Sequence, residues 1–420
     1  MHDFRKFWIV FFWTVASILM VAAGFNWLID PYGIFGTPQI MGINSNKTEG
    51  ANYERVYKAF DIQRKQPATL IIGNSRTLYG LNPDHPGIKF RPAYNASLSN
   101  LSPEEALAYI KHAQNISPLK QVILATDFFT FNRYFRLPES FSEQRLAFSG
   151  AFDRTVARLA DWKNSLVSWK ALGDSFGTLK TQHKPPVIHS NGQFGSDYYA
   201  QWVAEVGGPH SASLNIYEET YFAYKYRPPP DYDYFLFDDK GVSPKLDVLQ
   251  AIIEYCDTQN ILMSIHISPS HARIWEIIRI LKLWPEFEKF KRELVKIVDA
   301  RNERLPKKTA ISLWDFSGYN SITTEPFPPL NSPKSVMKGY WESTHYKSEI
   351  GDLVLDKMLK LDNPNIPPEF GVLITGANIE KHLETLRAQQ AKYQLDGRSD
   401  IDELEALASR VRTIYRITKW

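Results

Sequence analysis

The chain has 420 residues, of which 44% are hydrophobic and 23% are charged, a composition typical of folded proteins rather than of disordered or fibrous ones. Its 49 lysine and arginine residues nearly balance its 46 aspartate and glutamate residues, and the formal net charge of +3 indicates no basic surface for nucleic acid. The single cysteine, Cys256, excludes an intramolecular disulfide, a CxxC redox pair and a thiolate-cluster zinc site.

The N-terminal segment predicts a membrane anchor. Residues 7–29 carry no charged side chain, and about 20 apolar residues are enough for a helix to cross a bilayer. Arg5 and Lys6 precede this segment and Asp30 follows it. The positive-inside rule therefore predicts that residues 1–6 stay in the cytoplasm and that the rest of the chain lies outside it.

A cleaved signal peptide is the competing interpretation of the same segment. The small residues at 21–23, Val-Ala-Ala, could serve as a cleavage site. We favour an uncleaved anchor, because the apolar run continues past this site to residue 29. The sequence thus predicts a single-pass membrane protein with one large soluble part.

Strands and helices alternate through the soluble part. Short apolar, β-branched runs predict buried strands at 68–72, 92–95, 121–125, 261–265 and 309–314. Helical patterns lie at 141–180, 243–257, 272–300, 348–361 and from 379 onward. One further helix begins after Ser102, with Pro103 in its first turn and Glu105 at the capping-box position.

This order predicts an α/β domain with a mostly parallel sheet between helices on both faces. We assign residues 30–67 to a linker and first helix, and residues 68–362 to the α/β domain. Residues 183–240, rich in proline, glycine and tyrosine, are predicted to be an irregular insertion in that domain. Residues 363–420 are predicted to form a helical C-terminal extension.

Ligands of parallel sheets bind at the carboxyl ends of the strands, so the residues after each strand are the first candidates for a site. Ser75 follows the strand at 68–72 on a tight turn, where its hydroxyl is exposed and its N–H can face an oxyanion. His345, late in the chain, can take the serine proton. Glu342, three residues earlier, can hold the imidazole in the required tautomer.

These blocks resemble those of the SGNH (GDSL-like) hydrolases. Gly-Asn-Ser at 73–75 is similar to the Gly-Asp-Ser block of that superfamily, and Glu342-x-x-His345 is similar to its Asp-x-x-His block. The resemblance implies a three-layer α/β/α fold over residues 68–362, with Ser75 as nucleophile and His345 as base. It implies no metal and no organic cofactor.

The two middle blocks depart from the family. Asn95 opens the second block, and Ser97 stands where the family has a glycine, so the backbone N–H groups of Ser75 and Ser97 are expected at the oxyanion. Asp127 stands where the family has an oxyanion-donating asparagine, and an ionised carboxylate cannot donate. Asp127 is therefore protonated, or another donor such as Asn132 replaces it, or the site is not that of an ordinary hydrolase.

Two further residues near these strand ends are candidate binding groups. Arg76 could bind a carboxylate or phosphate of the substrate, or it could pair with Asp127. His271 could contact substrate or cap the helix that follows it. Together with His266 it lacks a convincing third metal ligand, so no metal site is predicted.

With its N-terminal anchor, the chain looks like the membrane-anchored SGNH-like proteins that work beside a multipass O-acyltransferase in polysaccharide modification. The alginate acetylation proteins and the lipoteichoic-acid D-alanylation protein are of this type. The resemblance implies a bacterial inner-membrane location, an extracytoplasmic catalytic domain, a cell-envelope polysaccharide as substrate and a multipass membrane partner. A non-catalytic scaffold that binds glycan or that partner is the alternative, and the residue at Asp127 favours it.

Overall fold

A computed structural model of the protein describes residues 2–147, 150–304 and 310–418. Its sheet consists of β1 (Thr69–Ile72), β2 (Ala93–Asn95), β3 (Gln121–Thr126), β4 (Leu262–Ile267), β5 (Ser312–Asp315) and β6 (Val372–Leu373). The strands lie in the order β2-β1-β3-β4-β5-β6. The first five are parallel, and β6 pairs antiparallel with β5. The fold is therefore mixed α/β with a mostly parallel sheet, as the sequence predicts.

Helices occupy most of the remaining described chain. They are α1 (His2–Ile29), α2 (Glu54–Lys65), α3 (Ser75–Gly80), α4 (Pro103–Ile116), α5 (Ala151–Val167), α6 (Trp169–Lys180), α7 (Ser196–Glu205), α8 (Pro209–Ala212), α9 (Pro244–Thr258), α10 (Ala272–Ile280), α11 (Trp284–Arg304), α12 (Ser348–Leu359), α13 (Ile379–Asp396) and α14 (Arg398–Ile414). The predicted capping box at the start of α4 is confirmed, with Ser102 and Glu105 each accepting a backbone N–H of the other residue.

Both faces of the sheet are buried against helices. Alternate side chains of β1 point to opposite sides, so Leu70 and Ile72 join the larger apolar cluster while Ile71 joins a second one. The larger cluster contains side chains of α4, α9, α10 and α11, and the second contains side chains of α12. A strand buried on both faces reads as a continuous apolar run, which is why β1 and β3 were visible in the sequence.

The N-terminal helix α1 is long and apolar enough to cross a membrane, and it is the one such helix in the part of the chain that the structure describes. Most of its side chains are exposed, but its last turns are attached to the soluble part. Asn26 donates from Nδ2 to the Leu166 carbonyl oxygen over 2.8 Å, and its Oδ1 accepts from the Ser175 hydroxyl over 2.8 Å. The last turns of α1 therefore pack against α5 and α6, whereas the rest of the helix is exposed.

Several predicted elements are corrected. Residues 183–240 are not irregular throughout: α7, α8 and two π-helical turns at Ser213–Glu218 and Tyr221–Lys225 cover much of 196–225. The predicted helix at 272–300 is broken in two, because Lys282 adopts a left-handed backbone conformation with φ +58°. The prediction at 141–180 is correct only from α5 onward, and β6 had no signal in the sequence.

A close contact between two glycines joins the two ends of the α/β domain. The short helix α3 packs on α12, and a Cβ added to Gly351 would overlap the carbonyl oxygen of Gly80. A Cβ on Gly80 would in turn overlap the ring of Tyr346. Because α3 begins at Ser75 and Tyr346 follows His345, this contact sets the separation of the two candidate catalytic residues.

We expect Gly351→Ala to lower the free energy of unfolding by about 1–3 kcal/mol, since the methyl group meets backbone that cannot rotate away. Urea unfolding of the detergent-solubilised full chain, followed by tryptophan fluorescence, measures the change. Gly173→Ala on α6 is the matched control, because no atom lies within 4 Å of its added Cβ and alanine favours helix. Equal stability of the two variants would contradict the close-contact interpretation.

Candidate active site

Ser75 follows the carboxyl end of β1. The strand order reverses at this point of the sheet, because β1 has β2 on one side and β3 on the other. Asn74 caps α3 by accepting the Arg76 backbone N–H on its side chain over 3.0 Å, which makes the turn after β1 tight. Ser75 is the first residue of α3, and its N–H donates to no acceptor in the described part of the chain. Both its hydroxyl and its N–H therefore remain available at the strand end.

His345 reaches Ser75 from 270 positions away in the sequence. Its Nε2 lies 2.8 Å from Ser75 Oγ, and its Nδ1 is hydrogen-bonded to Glu342 Oε1. Glu342 is fully buried and also accepts the backbone N–H groups of Thr344 over 2.7 Å and His345 over 3.0 Å. With Nδ1–H donating to the carboxylate, the Nε2 lone pair faces the serine hydroxyl. The three residues expected to act together are brought together.

Tyrosines surround this histidine, and the sequence analysis did not identify them. The Tyr199 hydroxyl lies 3.1 Å from His345 Nδ1, 3.3 Å from Glu342 Oε1 and 2.6 Å from the Tyr217 hydroxyl. The Tyr79 and His345 ring centroids are 4.8 Å apart. Burial, reinforced by the charge of Glu342, raises the pKa of Tyr199 well above its usual value, so its phenol stays neutral. Tyr199 and Tyr217 come from the segment predicted to be irregular.

The second block is placed differently from the prediction. The Ser97 N–H donates to Asn95 Oδ1 over 3.0 Å, so it is already engaged. Asn95 Nδ2 donates to the carbonyl oxygens of Thr77 and Leu81, each over 2.9 Å. Both Asn95 and Ser97 are fully buried, and neither lines the pocket at Ser75. The expected role of the Ser97 N–H at the oxyanion is therefore wrong for this structure, and both residues instead hold the turn after β2.

Asn100, and not the predicted Ser97, lies at the pocket beside Ser75. It lines the pocket with Ser75, and its backbone N–H donates to no acceptor among the described residues. Its φ of +55° lies in the left-handed region, which glycine and asparagine adopt most readily. In the sequence, Asn100 is visible only as an asparagine in a run of mostly small polar residues after Asn95. Its backbone conformation, known only from the structure, is what indicates a role at the pocket.

Asp127 is an ion-pair partner rather than an oxyanion donor. Its Oδ1 accepts from Arg76 over 2.5 Å, and its Oδ2 accepts from Asn74 Nδ2 over 2.6 Å and from the Ser268 hydroxyl over 3.1 Å. Both carboxylate oxygens accept from these three donors, so neither is available to an oxyanion in the pocket. Of the two roles open to Arg76, the structure shows the pairing with Asp127, although Arg76 also lines the pocket.

The other candidates lie outside the pocket. Asn132 does not replace the missing donor, because its Nδ2 donates to the carbonyl oxygens of Tyr226 and Asp233 over 3.0 Å each. His271 caps α10 by accepting the Arg273 N–H over 3.3 Å, and its Nε2 bonds the Glu325 carbonyl oxygen over 2.7 Å. Burial lowers the pKa of His271 to about 4, so its ring is neutral. Capping, not substrate contact, is the role that its position supports.

The pocket at Ser75 has a volume of about 250 Å³ and is lined largely by aromatic and small polar side chains. Lys225 lies at its wall, where its ammonium donates to Asn100 Oδ1 and sits 4.7 Å from the Phe129 ring centroid. Among the described residues no carboxylate is within 4.0 Å of that ammonium. Burial, with the charge of Arg76, lowers the pKa of Lys225 to about 7.

Within residues 2–147, 150–304 and 310–418, no group of three or more histidine, cysteine, aspartate and glutamate side chains could hold a metal ion. The arrangement instead combines a hydroxyl, an imidazole, a buried carboxylate and two backbone N–H groups that have no acceptor among the described residues. Those are the parts of a serine nucleophile and its oxyanion site. No protein-family model matches the chain, and no curated protein matches it.

We expect Asp127→Asn to lower the free energy of unfolding by about 3–5 kcal/mol, because it leaves the buried Arg76 charge without its partner. Ser97→Ala is the control, since its buried hydroxyl has no partner among the described residues and its removal should cost no more than about 1 kcal/mol. Urea unfolding of both variants measures the difference. An Asp127→Asn variant as stable as Ser97→Ala would show that the ion pair is not structural.

Proposed function

We propose that the protein is a membrane-anchored, extracytoplasmic serine acyltransferase or esterase of the SGNH type that acts on a cell-envelope glycan. The observation that carries the proposal is the hydrogen-bonded series Ser75, His345 and Glu342 at the carboxyl end of β1. Asp127 pairs with the buried Arg76 and does not line the pocket, which supports a structural role for this residue rather than the loss of a catalytic one.

The proposed reaction has two steps. Ser75 Oγ attacks the acyl carbonyl carbon while its proton moves to His345 Nε2, and Glu342 stabilises the imidazolium that forms. The leaving alkoxide takes that proton, and an acyl ester remains on Ser75. In the second step, a glycan hydroxyl or water gives its proton to His345 Nε2 and attacks the ester. Ser75 recovers its proton from His345 when the acyl–oxygen bond breaks.

The negative oxygen of each tetrahedral intermediate needs donors that are free before the reaction begins. The backbone N–H groups of Ser75 and Asn100 meet that condition in this pocket. Lys225 adds a positive charge beside Asn100. We therefore assign to Lys225 the electrostatic contribution that Asp127 cannot make.

The remaining parts of the proposal concern substrate and location. A pocket of about 250 Å³ is below the usual range for drug-sized ligands and favours a small acyl group such as acetyl. Helices on both faces of a parallel sheet support the three-layer architecture of the SGNH superfamily. Arg5 and Lys6 before the apolar helix support a cytoplasmic N-terminus in the bacterial inner membrane, with the domain outside. A multipass O-acyltransferase is the proposed partner.

We expect Ser75→Ala, His345→Ala and the double variant to lose ester cleavage to the same degree, about 10⁴-fold or more, because the two residues act as one unit. Glu342→Gln should lose less, since an amide still orients the ring. Hydrolysis of a chromogenic acetyl ester by the full chain in detergent measures the rates, and a fluorophosphonate probe locates the nucleophile by mass spectrometry.

Ser175→Ala is the control for those measurements, because Ser175 belongs to a Gly-Asp-Ser tripeptide but is buried against Asn26. That variant should keep both activity and labelling. Full activity of a normally folded Ser75→Ala variant would exclude Ser75 as nucleophile. A lack of ester cleavage by the unmodified chain would instead favour the scaffold interpretation.

We expect Lys225→Met to reduce kcat/KM about 10- to 100-fold, the loss of a charged hydrogen bond worth about 1.5–3 kcal/mol. Because the pKa of Lys225 is lowered to about 7, its ammonium loses its proton as the pH rises through that value. Activity of the unmodified chain should therefore fall above pH 7. The arginine side chain of Lys225→Arg stays charged, so the activity of that variant should not fall above pH 7 for this reason. An unchanged pH profile in Lys225→Arg would contradict the assignment.

A further inference from the structure

Helix α5 has an apolar outer face. Phe152, Val156 and Leu159 follow one another at spacings of four and three residues, so they lie on one side of the helix. Their exposed fractions are 80%, 51% and 56%. The face continues into α6, where Trp169 is 88% exposed and Phe176 49% exposed. A contiguous apolar surface of this kind marks a contact with something other than water.

The inner face of the same helix is polar. Asp161 accepts from Arg145 over 2.6 and 2.9 Å, and Arg154 donates to the Ala147 carbonyl oxygen over 2.8 Å. Arg158 donates to Gln63 Oε1 on α2 over 2.5 Å. A surface helix of a soluble protein has the opposite arrangement, with apolar side chains inward and charged ones outward. The inversion indicates that the surroundings of the outer face are apolar.

The apolar face is continuous with the apolar helix α1. The Phe25 and Phe176 ring centroids are 4.9 Å apart, and Asn26 bonds both Leu166 and Ser175. Beyond the end of α1, the Tyr32 hydroxyl donates to Asp174 over 2.6 Å. The pair α5–α6 is thus attached to the last turns of α1, where a membrane-spanning helix leaves the bilayer.

We propose that α5 and α6 lie in the bilayer surface, with the face of Phe152, Val156, Leu159 and Trp169 buried among lipid acyl chains. The exposed Lys163 belongs to the same side of α5, and its long stem lets the ammonium reach anionic headgroups. The occupant of the face is lipid, because the face begins on the flank of α1 itself. The proposal depends on α1 lying in a bilayer and is independent of the reaction at Ser75.

This attachment gives the pocket a defined position above the membrane. Gln63 near the end of α2 bonds α5, and Glu54 at the start of α2 accepts the N–H of Ser99, a pocket residue, over 2.7 Å. These two positions are about 14 Å apart along a helix that rises 1.5 Å per residue. The pocket therefore lies within reach of substrates held close to the membrane surface.

The test uses single labelling sites on the full chain. Cys256 is buried and its pKa is raised to about 12 by burial, so a cysteine-directed fluorophore leaves it unmodified. Leu159→Cys samples the proposed face, Val21→Cys on α1 is the bilayer control, and Asp239→Cys, with a fully exposed side chain, is the water control. Each labelled chain is reconstituted into vesicles of phosphatidylcholine and phosphatidylglycerol with or without doxyl-labelled lipid.

Doxyl lipid should quench the label at Leu159→Cys at least half as strongly as the label at Val21→Cys, and should leave Asp239→Cys unchanged. Aqueous iodide should quench the label at Asp239→Cys most strongly and the labels at Leu159→Cys and Val21→Cys less. A label at Leu159→Cys that behaves like the one at Asp239→Cys would overturn the proposal, since no protein partner is present in these vesicles. Water-like behaviour at Val21→Cys would overturn it as well. Neither readout depends on catalytic activity.

Discussion

The backbone contact between Gly80 and Gly351 is the constraint on which the arrangement of the site depends. Ser75 and His345 come from opposite ends of the α/β domain. The 2.8 Å hydrogen bond between them requires α3 and α12, which begins just after His345, to approach without side chains between them. Glycine is the one residue that permits this approach. Because α3 has only six residues, a displacement of Gly80 would shift Ser75 by nearly the same distance.

Arg76 and Asp127 form a buried ion pair next to the candidate site, and their role is structural. Arg76 and Asp127 are both buried and bonded to each other, and Asn74 connects them to the cap of α3. A buried ion pair of this kind contributes little net stability, but neither partner can be removed alone without leaving an unpaired charge. The pair fixes the turn that presents Ser75, and positive charge at the pocket then comes from Lys225 on a separate segment.

The candidate site and helix α5 are connected through helix α2. Helix α2 bonds Ser99 near the pocket at one end and Arg158 of α5 at the other. The insertion at 183–240 supplies Tyr199 and Tyr217 on the opposite side of His345. The imidazole is therefore enclosed by groups from three distant parts of the chain, and this enclosure excludes water from the carboxylate that orients it.

The sequence alone determined the elements whose signals are local: the apolar run of α1, the buried strands β1 and β3, the capping box of α4, and the position of Ser75 directly after β1. Periodicity and capping act over a few residues, so they can be read without a fold. Only the tertiary structure decided that Asn100 rather than Ser97 faces the pocket, that Asp127 pairs with Arg76, and that the apolar side of α5 points outward. Each of those outcomes depends on a hydrogen-bond or packing partner from a remote segment, which no local pattern specifies.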